Sequence, residues 1–218
     1  MATFKTKGES NKLFFFAAIL LQSFCHGIAI AIPFVVCWYC FSDYSLFSFH
    51  PSFFTIGFLL LFTEGFLLFL PDNVLTKKLA RQTTGKIHGA LQALGFAFSV
   101  AGFVIIVVYK FNNNFQHFRS AHSITGLVAF ILTCLAFCGG VATRLKVPHL
   151  ARLKVGHNAL GLVAYAVGIS ALCLGLLAKF PDYVGDGWVI CMVVLTAVTG
   201  ATVVTNALFS LFKRVKNL

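Results

Sequence analysis

The sequence has 218 residues, of which 59% are hydrophobic and 11% are charged, and it includes 26 phenylalanines. Soluble domains carry about 25% charged residues, and a fold of this size has too little interior to bury so much apolar surface, so we exclude a soluble globular protein. The net charge of +11 does not indicate nucleic-acid binding, because the basic residues lie between apolar segments, where membrane topology accounts for them.

Six apolar segments are long enough to cross a bilayer as helices, since a hydrocarbon core about 30 Å thick requires roughly 20 apolar residues. In chain order they cover residues 13–41, 51–70, 88–109, 121–143, 156–178 and 188–211. The first segment is too long for the apolar core of a signal peptide, so we expect it to be retained. Because the connectors are short, we predict an all-α membrane protein with a single transmembrane domain over residues 1–218.

Lys and Arg are distributed unevenly between the two ends of these segments. Fourteen of the 17 lie at the termini or in the connectors that follow segments 2 and 4. The other three are Lys110, Arg119 and Lys179. Since Lys and Arg accumulate on the cytoplasmic side of membrane proteins, the imbalance predicts that both termini face the cytoplasm.

Four histidines lie at the ends of four consecutive segments: His50, His88, His122 and His157. Because the segments alternate in direction, we predict His50 and His122 near the outer face and His88 and His157 near the cytoplasmic face. Polar side chains at membrane depth are costly and are usually functional or paired. Two neutral imidazoles fill both axial positions of a haem iron. We therefore predict a four-helix bundle of segments 2 to 5 around two haems, which carry electrons between the faces.

Other interpretations of these histidines stay open from the residues alone. A zinc site would have too few ligands, because each pair provides two histidines and no carboxylate or cysteine lies at matching depth beside both pairs. A c-type haem needs a histidine directly after C-x-x-C, but Phe41 follows Cys37 and Cys40. A transporter or structural protein without haem would use the histidines only for hydrogen bonds between helices.

Further polar residues accompany the predicted haem sites. His26 and Glu64 lie deep inside segments 1 and 2, and we expect each to form an interhelical hydrogen bond, although Glu64 is also placed to tune the inner haem. His117 lies in an outer connector, where it either meets an electron acceptor or is a solvated loop residue. The basic connectors at the inner pair either bind an anionic reductant or only follow membrane topology.

Five motifs surround the four histidines. They are SLFSFHP at His50, TEGFLLF after it, KIHGALQ at His88, HFRSAHSITGL at His122 and LARLKVGHNALGLVAYAVG at His157. With these motifs, residues 13–212 resemble the cytochrome b561 family of six-helix, two-haem transmembrane reductases. The second and fifth motifs are most similar to the shorter animal branch of the family, often called the tumour-suppressor cytochrome b561.

The resemblance implies an oxidoreductase that takes single electrons from cytoplasmic ascorbate and delivers them to monodehydroascorbate or ferric iron on the other side. By motif, His88 and His157 would hold the inner b-type haem, and His50 and His122 the outer one. The family's ascorbate contacts are basic residues ahead of the inner ligands. The candidates here are Arg81, which fits best, and Lys77, Lys78, Lys86, Arg152 and Lys154. His117 is the candidate on the acceptor side.

An alternative function is a haem-bearing membrane anchor that exchanges electrons with quinol or a partner subunit. We find no dinucleotide-binding motif and no soluble domain for NAD or flavin, so the donor is expected to be a diffusible reductant or a partner protein. The expected surroundings are the lipid bilayer of an endomembrane or of the plasma membrane. The sequence leaves homodimerisation open.

Overall fold

The computed structural model describes residues 7–70, 73–145 and 148–216, with side chains from residue 15 onward. Within these ranges the chain is helical and contains no strand, and six helical stretches are long and apolar enough to cross a membrane. They are α1 (Lys7–Ser42), the stretch Leu46–Leu67, α4 (Arg81–Asn112), α5 (Ala121–Ala142), α6 (Leu150–Lys179) and α8 (Asp186–Val215). The predicted all-α membrane fold is confirmed. Lys5 and Lys146, which contribute to the predicted charge imbalance, lie outside the described residues.

The second membrane stretch is not one continuous α-helix. It begins with a short 3₁₀ turn, Leu46–Ser48, and continues as α2 (Phe49–Phe54), a π-helix (Thr55–Phe62) and α3 (Thr63–Leu67). The hydroxyl of Thr63 donates to the Phe58 carbonyl five residues earlier, at 3.2 Å. A π-helix forms hydrogen bonds between residues five apart, one more than an α-helix. The residues of α3 are therefore rotated about the helix axis relative to their positions in an unbroken α-helix.

Two helices begin earlier than the sequence predicted. α4 begins at Arg81 and α6 at Leu150, so the predicted starts at residues 88 and 156 are wrong by one to two turns. His88 and His157 therefore lie inside their helices and not at the helix ends. Hydropathy detects where a helix becomes apolar, whereas the helix itself begins where the backbone changes: Ala80 is extended and His149 has a φ of 59°.

The membrane helices pack as two hairpins. In the first, the stretch Leu46–Leu67 lies along α4, and in the second, α5 lies along α6. α1 packs on the first hairpin and α8 on α6, while α7 (Pro181–Val184) links α6 to α8. We call the end of the bundle at which α4 and α6 begin the basic end. These four central membrane spans form the bundle predicted for segments 2 to 5.

The two hairpins meet in the middle of the bundle through buried side chains. The Phe58 ring lies directly against Gly168, so that a β-carbon at residue 168 would overlap the ring. Beside it, Thr63 Oγ1 and Tyr165 Oη share a buried hydrogen bond of 2.8 Å. The interface is therefore closed at its centre.

Candidate haem sites between the two hairpins

His50 on α2 and His122 on α5 meet at the end of the bundle opposite the basic end. Their ring centroids are 6.0 Å apart and the ring planes are inclined by 80°. Since a carbonyl oxygen only accepts, His50 Nδ1 donates to the Gly102 carbonyl at 3.2 Å, and His122 Nδ1 donates to the Ala171 carbonyl at 2.9 Å. With the proton on Nδ1, each neutral ring has an unprotonated Nε2 that can bind a metal.

His88 on α4 and His157 on α6 form the corresponding pair at the basic end. His88 Nδ1 donates to the Gly65 carbonyl at 2.9 Å, and His157 Nδ1 donates to the Ala136 carbonyl at 3.0 Å. The two histidines belong to different hairpins and lie near the starts of α4 and α6. Their Nε2 atoms are available in the same way as those of the first pair.

The four hydrogen bonds share one arrangement. Each histidine is held by a carbonyl of the other membrane span in its own hairpin, and each pair takes one histidine from each hairpin. The hairpins therefore orient the rings, and the pairs bridge the interface between them. Such a carbonyl or carboxylate partner on Nδ1 is the usual support of a metal-binding histidine.

Two glycines bring the helix backbone against the histidine rings. A β-carbon at Gly175 would lie 2.8 Å from His122 Cε1, and a β-carbon at Gly140 would lie 3.0 Å from His157 Cε1. Sequence analysis did not identify these residues or the four carbonyl acceptors. Every residue has a carbonyl group, so the sequence cannot show which carbonyls accept from the histidines. For Gly140 and Gly175, the small size of glycine was the one feature of the sequence that could have indicated a close approach.

A cavity of about 510 Å³ lies between the hairpins around His50 and His122. Its wall is mostly apolar, with Phe54, Phe103 and Leu172 among the lining residues. Haem needs an apolar space with two opposed axial ligands. The residues present fit that group, because two imidazoles with unprotonated Nε2 atoms converge on an apolar cavity. The described residues contain no group of three or more His, Cys, Asp or Glu side chains that is placed to hold a metal ion.

His117 lies at the mouth of this cavity. It is half-buried and lines the wall together with Phe118, Lys110 and Lys179. Lys110 Nζ donates to the Gln116 carbonyl at 3.0 Å, which fixes the loop that carries His117. His117 is therefore a partly buried residue of the cavity wall, and its role toward an electron acceptor stays a prediction.

The six predicted ascorbate-contacting residues all lie at the basic end and are exposed. They are Lys77 and Lys78 in the turns before α4, Arg81 and Lys86 in its first two turns, and Arg152 and Lys154 near the start of α6. Four of them are helical, so the prediction that they lie in connectors is wrong for those four. Among the described residues, the one contact between a basic and an acidic side chain within ion-pair distance joins His26 and Glu64. Among the described residues, these six cations therefore have no carboxylate partner.

Two further arginines flank the basic-end histidines. The Arg144 guanidinium donates to the Gly85 carbonyl and lies against Gly89, the residue after His88. Arg214 Nη1 donates at 2.9 Å to Asn158, the residue after His157, when the Asn158 amide oxygen faces it. Sequence analysis assigned Arg214 to topology alone and Arg144 to a basic connector that either binds an anionic reductant or follows topology. It identified neither contact, because the partners are distant in the chain.

The chain matches the sequence profile of the eukaryotic cytochrome b561 family over residues 49–181. It is 30% identical over 173 residues to the transmembrane reductase CYB561D2 of Mus musculus, covering 75% of this chain and 77% of that protein. It is 32% identical over 168 residues to CYB561D2 of Bos taurus, covering 74% and 75%. The probable transmembrane reductase CYB561D1 of Mus musculus is 31% identical over 154 residues, with 68% and 67% covered.

The matched segment contains all four histidines and both hairpins, apart from the first turn of the first hairpin. The match agrees with the six apolar helices and with the two histidine pairs that bridge the hairpins. The chain therefore belongs to the eukaryotic cytochrome b561 family, and is a multi-pass integral membrane protein and an oxidoreductase.

Proposed function

We propose that the protein carries electrons across the membrane from cytoplasmic ascorbate to monodehydroascorbate or a ferric chelate on the opposite side. The observation that carries the proposal is the arrangement of two histidine pairs at opposite ends of one interface, each with unprotonated Nε2 atoms. The relatives named transmembrane reductases support the same class of reaction.

Two b-type haems would supply the chemistry, because a haem iron with two imidazole ligands accepts and releases single electrons. In this proposal His88 and His157 hold the inner haem, and His50 and His122 hold the outer haem. The hydrogen bonds on Nδ1 keep the four rings in the tautomer that can bind iron. The apolar wall around His50 and His122 would keep water away from a bound haem and help set its reduction potential.

The basic end is the proposed cytoplasmic, donor side. Ascorbate is an anion at neutral pH, and the exposed cations around His88 and His157 lack carboxylate partners among the described residues. Their joint field attracts an anionic reductant and raises its local concentration. Arg81, Lys86, Arg152 and Lys154 are the proposed contacts, with Lys77 and Lys78 in the adjacent turns.

The cavity mouth at the opposite end is the proposed acceptor side. His117, Lys110 and Lys179 line it. An imidazole and two ammonium groups suit an anionic acceptor such as monodehydroascorbate or a ferric carboxylate chelate.

The test is an optical difference spectrum of the purified full-length protein, ascorbate-reduced against oxidised, with the haem content quantified per chain. We expect two b-type haems, both reduced by ascorbate. Two haems that only dithionite or a quinol reduces would replace the proposal with the membrane-anchor cytochrome. A protein that binds no haem would contradict both.

Neutralising Arg81 should slow the donor reaction selectively. For Arg81→Gln we expect the rate of haem reduction by ascorbate to fall roughly three- to ten-fold, because one cation fewer attracts the anion, and we expect added salt to reduce the difference. Stopped-flow spectroscopy measures this rate, and an uncharged hydroquinone as reductant should give equal rates for both proteins.

The matched control is Arg119→Gln, which removes an exposed arginine near the opposite end. It should leave the ascorbate rate unchanged. Equal slowing in both variants would mean that only the overall charge of the protein matters, and the donor site would have to be placed elsewhere.

A further inference from the structure

A buried hydrogen-bond network joins His26, Glu64 and Asn73 beside the inner site. His26 Nδ1 lies 2.8 and 2.7 Å from the two carboxylate oxygens of Glu64, and Asn73 Nδ2 lies 3.3 Å from His26 Nε2. The His26 and Glu64 side chains are 14% and 15% exposed. The two interhelical hydrogen bonds expected from the sequence are thus a single contact between α1 and α3.

The orientation of the Asn73 amide fixes the protonation of His26. Asn73 Oδ1 accepts from the backbone N–H groups of Leu75 and Thr76, at 2.9 and 3.2 Å, and Nδ2 donates to the Leu67 carbonyl at 3.0 Å. The amide cannot be turned over without losing all three bonds. An amide NH₂ group only donates, so His26 Nε2 must accept and is unprotonated.

The single imidazole proton therefore lies on Nδ1 and is donated to the Glu64 carboxylate. Both Glu64 oxygens lie within hydrogen-bond distance of this one Nδ1–H, and an ionised carboxylate accepts at both oxygens. Such a pair would have a net charge of one negative unit. The ionisable groups that face Glu64 are Cys25 of α1 and Tyr165 of α6, and both are neutral in their protonated forms. No Lys or Arg of the described ranges forms an ion pair with Glu64. A negative charge at this depth is costly unless a positive group lies nearby.

Glu64 is the sequence neighbour of the residue that holds an inner haem ligand. Gly65, the next residue, is the one whose carbonyl accepts from His88 Nδ1 at 2.9 Å. When haem is bound between neutral imidazoles, the iron–porphyrin unit carries one positive charge in the ferric state and none in the ferrous state. A fixed anion beside it stabilises the ferric state.

We infer that Glu64, held by neutral His26 and Asn73, is a fixed negative charge that lowers the reduction potential of the inner haem. This inference rests on the proposed function. Arg144, which is exposed, and Arg214, which is half-buried, also lie at the inner end and act in the opposite direction. The effect of Glu64 is therefore the change in the inner potential when its charge alone is removed.

Spectroelectrochemical titration of the full-length protein with both haems tests the inference. For Glu64→Gln we expect one midpoint potential to rise by an amount equivalent to a roughly ten-fold change in the reduction equilibrium, about 59 mV for a one-electron couple. The other potential should stay constant. Glu64→Asp keeps the charge and should retain both potentials.

The matched control is Tyr165→Phe, which removes a buried hydrogen bond from the same region without changing a formal charge. It should leave both potentials in place. If Glu64→Gln retains both haems and both potentials, the inference is wrong while the proposed function stands. Equal shifts in Glu64→Gln and Tyr165→Phe would also overturn it, because they would indicate a general packing effect.

A measurement on the unaltered protein covers the case in which Glu64→Gln does not bind haem. The sequence contains two glutamates, Glu9 and Glu64, so ¹³C-glutamate labelling isolates their infrared bands. We expect the redox difference spectrum to contain a labelled band of an ionised carboxylate that shifts when the inner haem is reduced. A labelled band of a protonated carboxyl in the oxidised protein, or no labelled band, would overturn the inference. Absence of haem from the unaltered protein would instead contradict the proposed function.

Discussion

Replacing His157 with alanine is expected to remove the inner haem and retain the outer one, whereas His122→Ala is expected to do the reverse. Each pair draws one ligand from each hairpin, and the two sites share no ligand. Loss of one imidazole leaves a haem with a single axial ligand and weakens its binding. Haem content should fall from two per chain to about one in either variant, as measured by the pyridine haemochrome spectrum.

The two variants should differ in their reaction with ascorbate. In His122→Ala the remaining haem lies beside the basic residues, so ascorbate should still reduce it rapidly. In His157→Ala the remaining haem lies at the far end, and its reduction by ascorbate should be nearly abolished. Both should lose electron transfer from external ascorbate to a ferric chelate trapped inside liposomes.

His149→Asn is the control for these variants. His149 is exposed and has a φ of 59°, which asparagine also adopts, so both haems should remain. If either ligand variant retained two haems with unchanged spectra, the assignment of that histidine as an axial ligand would be wrong.

Gly175→Leu is expected to damage the outer site without touching a ligand. Any β-carbon at residue 175 would lie 2.8 Å from His122 Cε1, so the ring must move and its hydrogen bond to the Ala171 carbonyl is lost. Overpacking of this kind costs roughly 1–3 kcal/mol, which corresponds to a roughly five- to 150-fold weaker affinity for the outer haem. Titration of haem into the haem-depleted protein, followed optically, measures the affinity.

Gly140→Leu provides the reciprocal variant, because a β-carbon there would lie 3.0 Å from His157 Cε1, and it should weaken only the inner site. Gly27→Leu is the control: Gly27 is exposed on α1, and a β-carbon there would meet no atom within 4 Å outside its own helix. Equal losses in all three variants would indicate general misfolding and would count against the close approach at Gly140 and Gly175.

The sequence alone was sufficient to predict the six membrane helices. It also predicted at which end of the bundle each of the four histidines lies. The bilayer imposes a minimum apolar length and alternating directions, so apolar length and the order of the chain determine both. Hydropathy did not locate the starts of α4 and α6, because the helical backbone continues beyond the apolar residues to Arg81 and Leu150.

Tertiary structure decided how the histidines are held and which groups surround them. The π-helix Thr55–Phe62 rotates α3 so that the Gly65 carbonyl reaches His88, and no residue pattern predicted that break in the helix. His26 and Glu64 were each expected to need a partner, but only packing of α1 on α3 shows that they are partners of each other. Sequence specifies side chains, whereas these contacts depend on backbone carbonyls and on the relative rotation of helices, which are set when the hairpins pack.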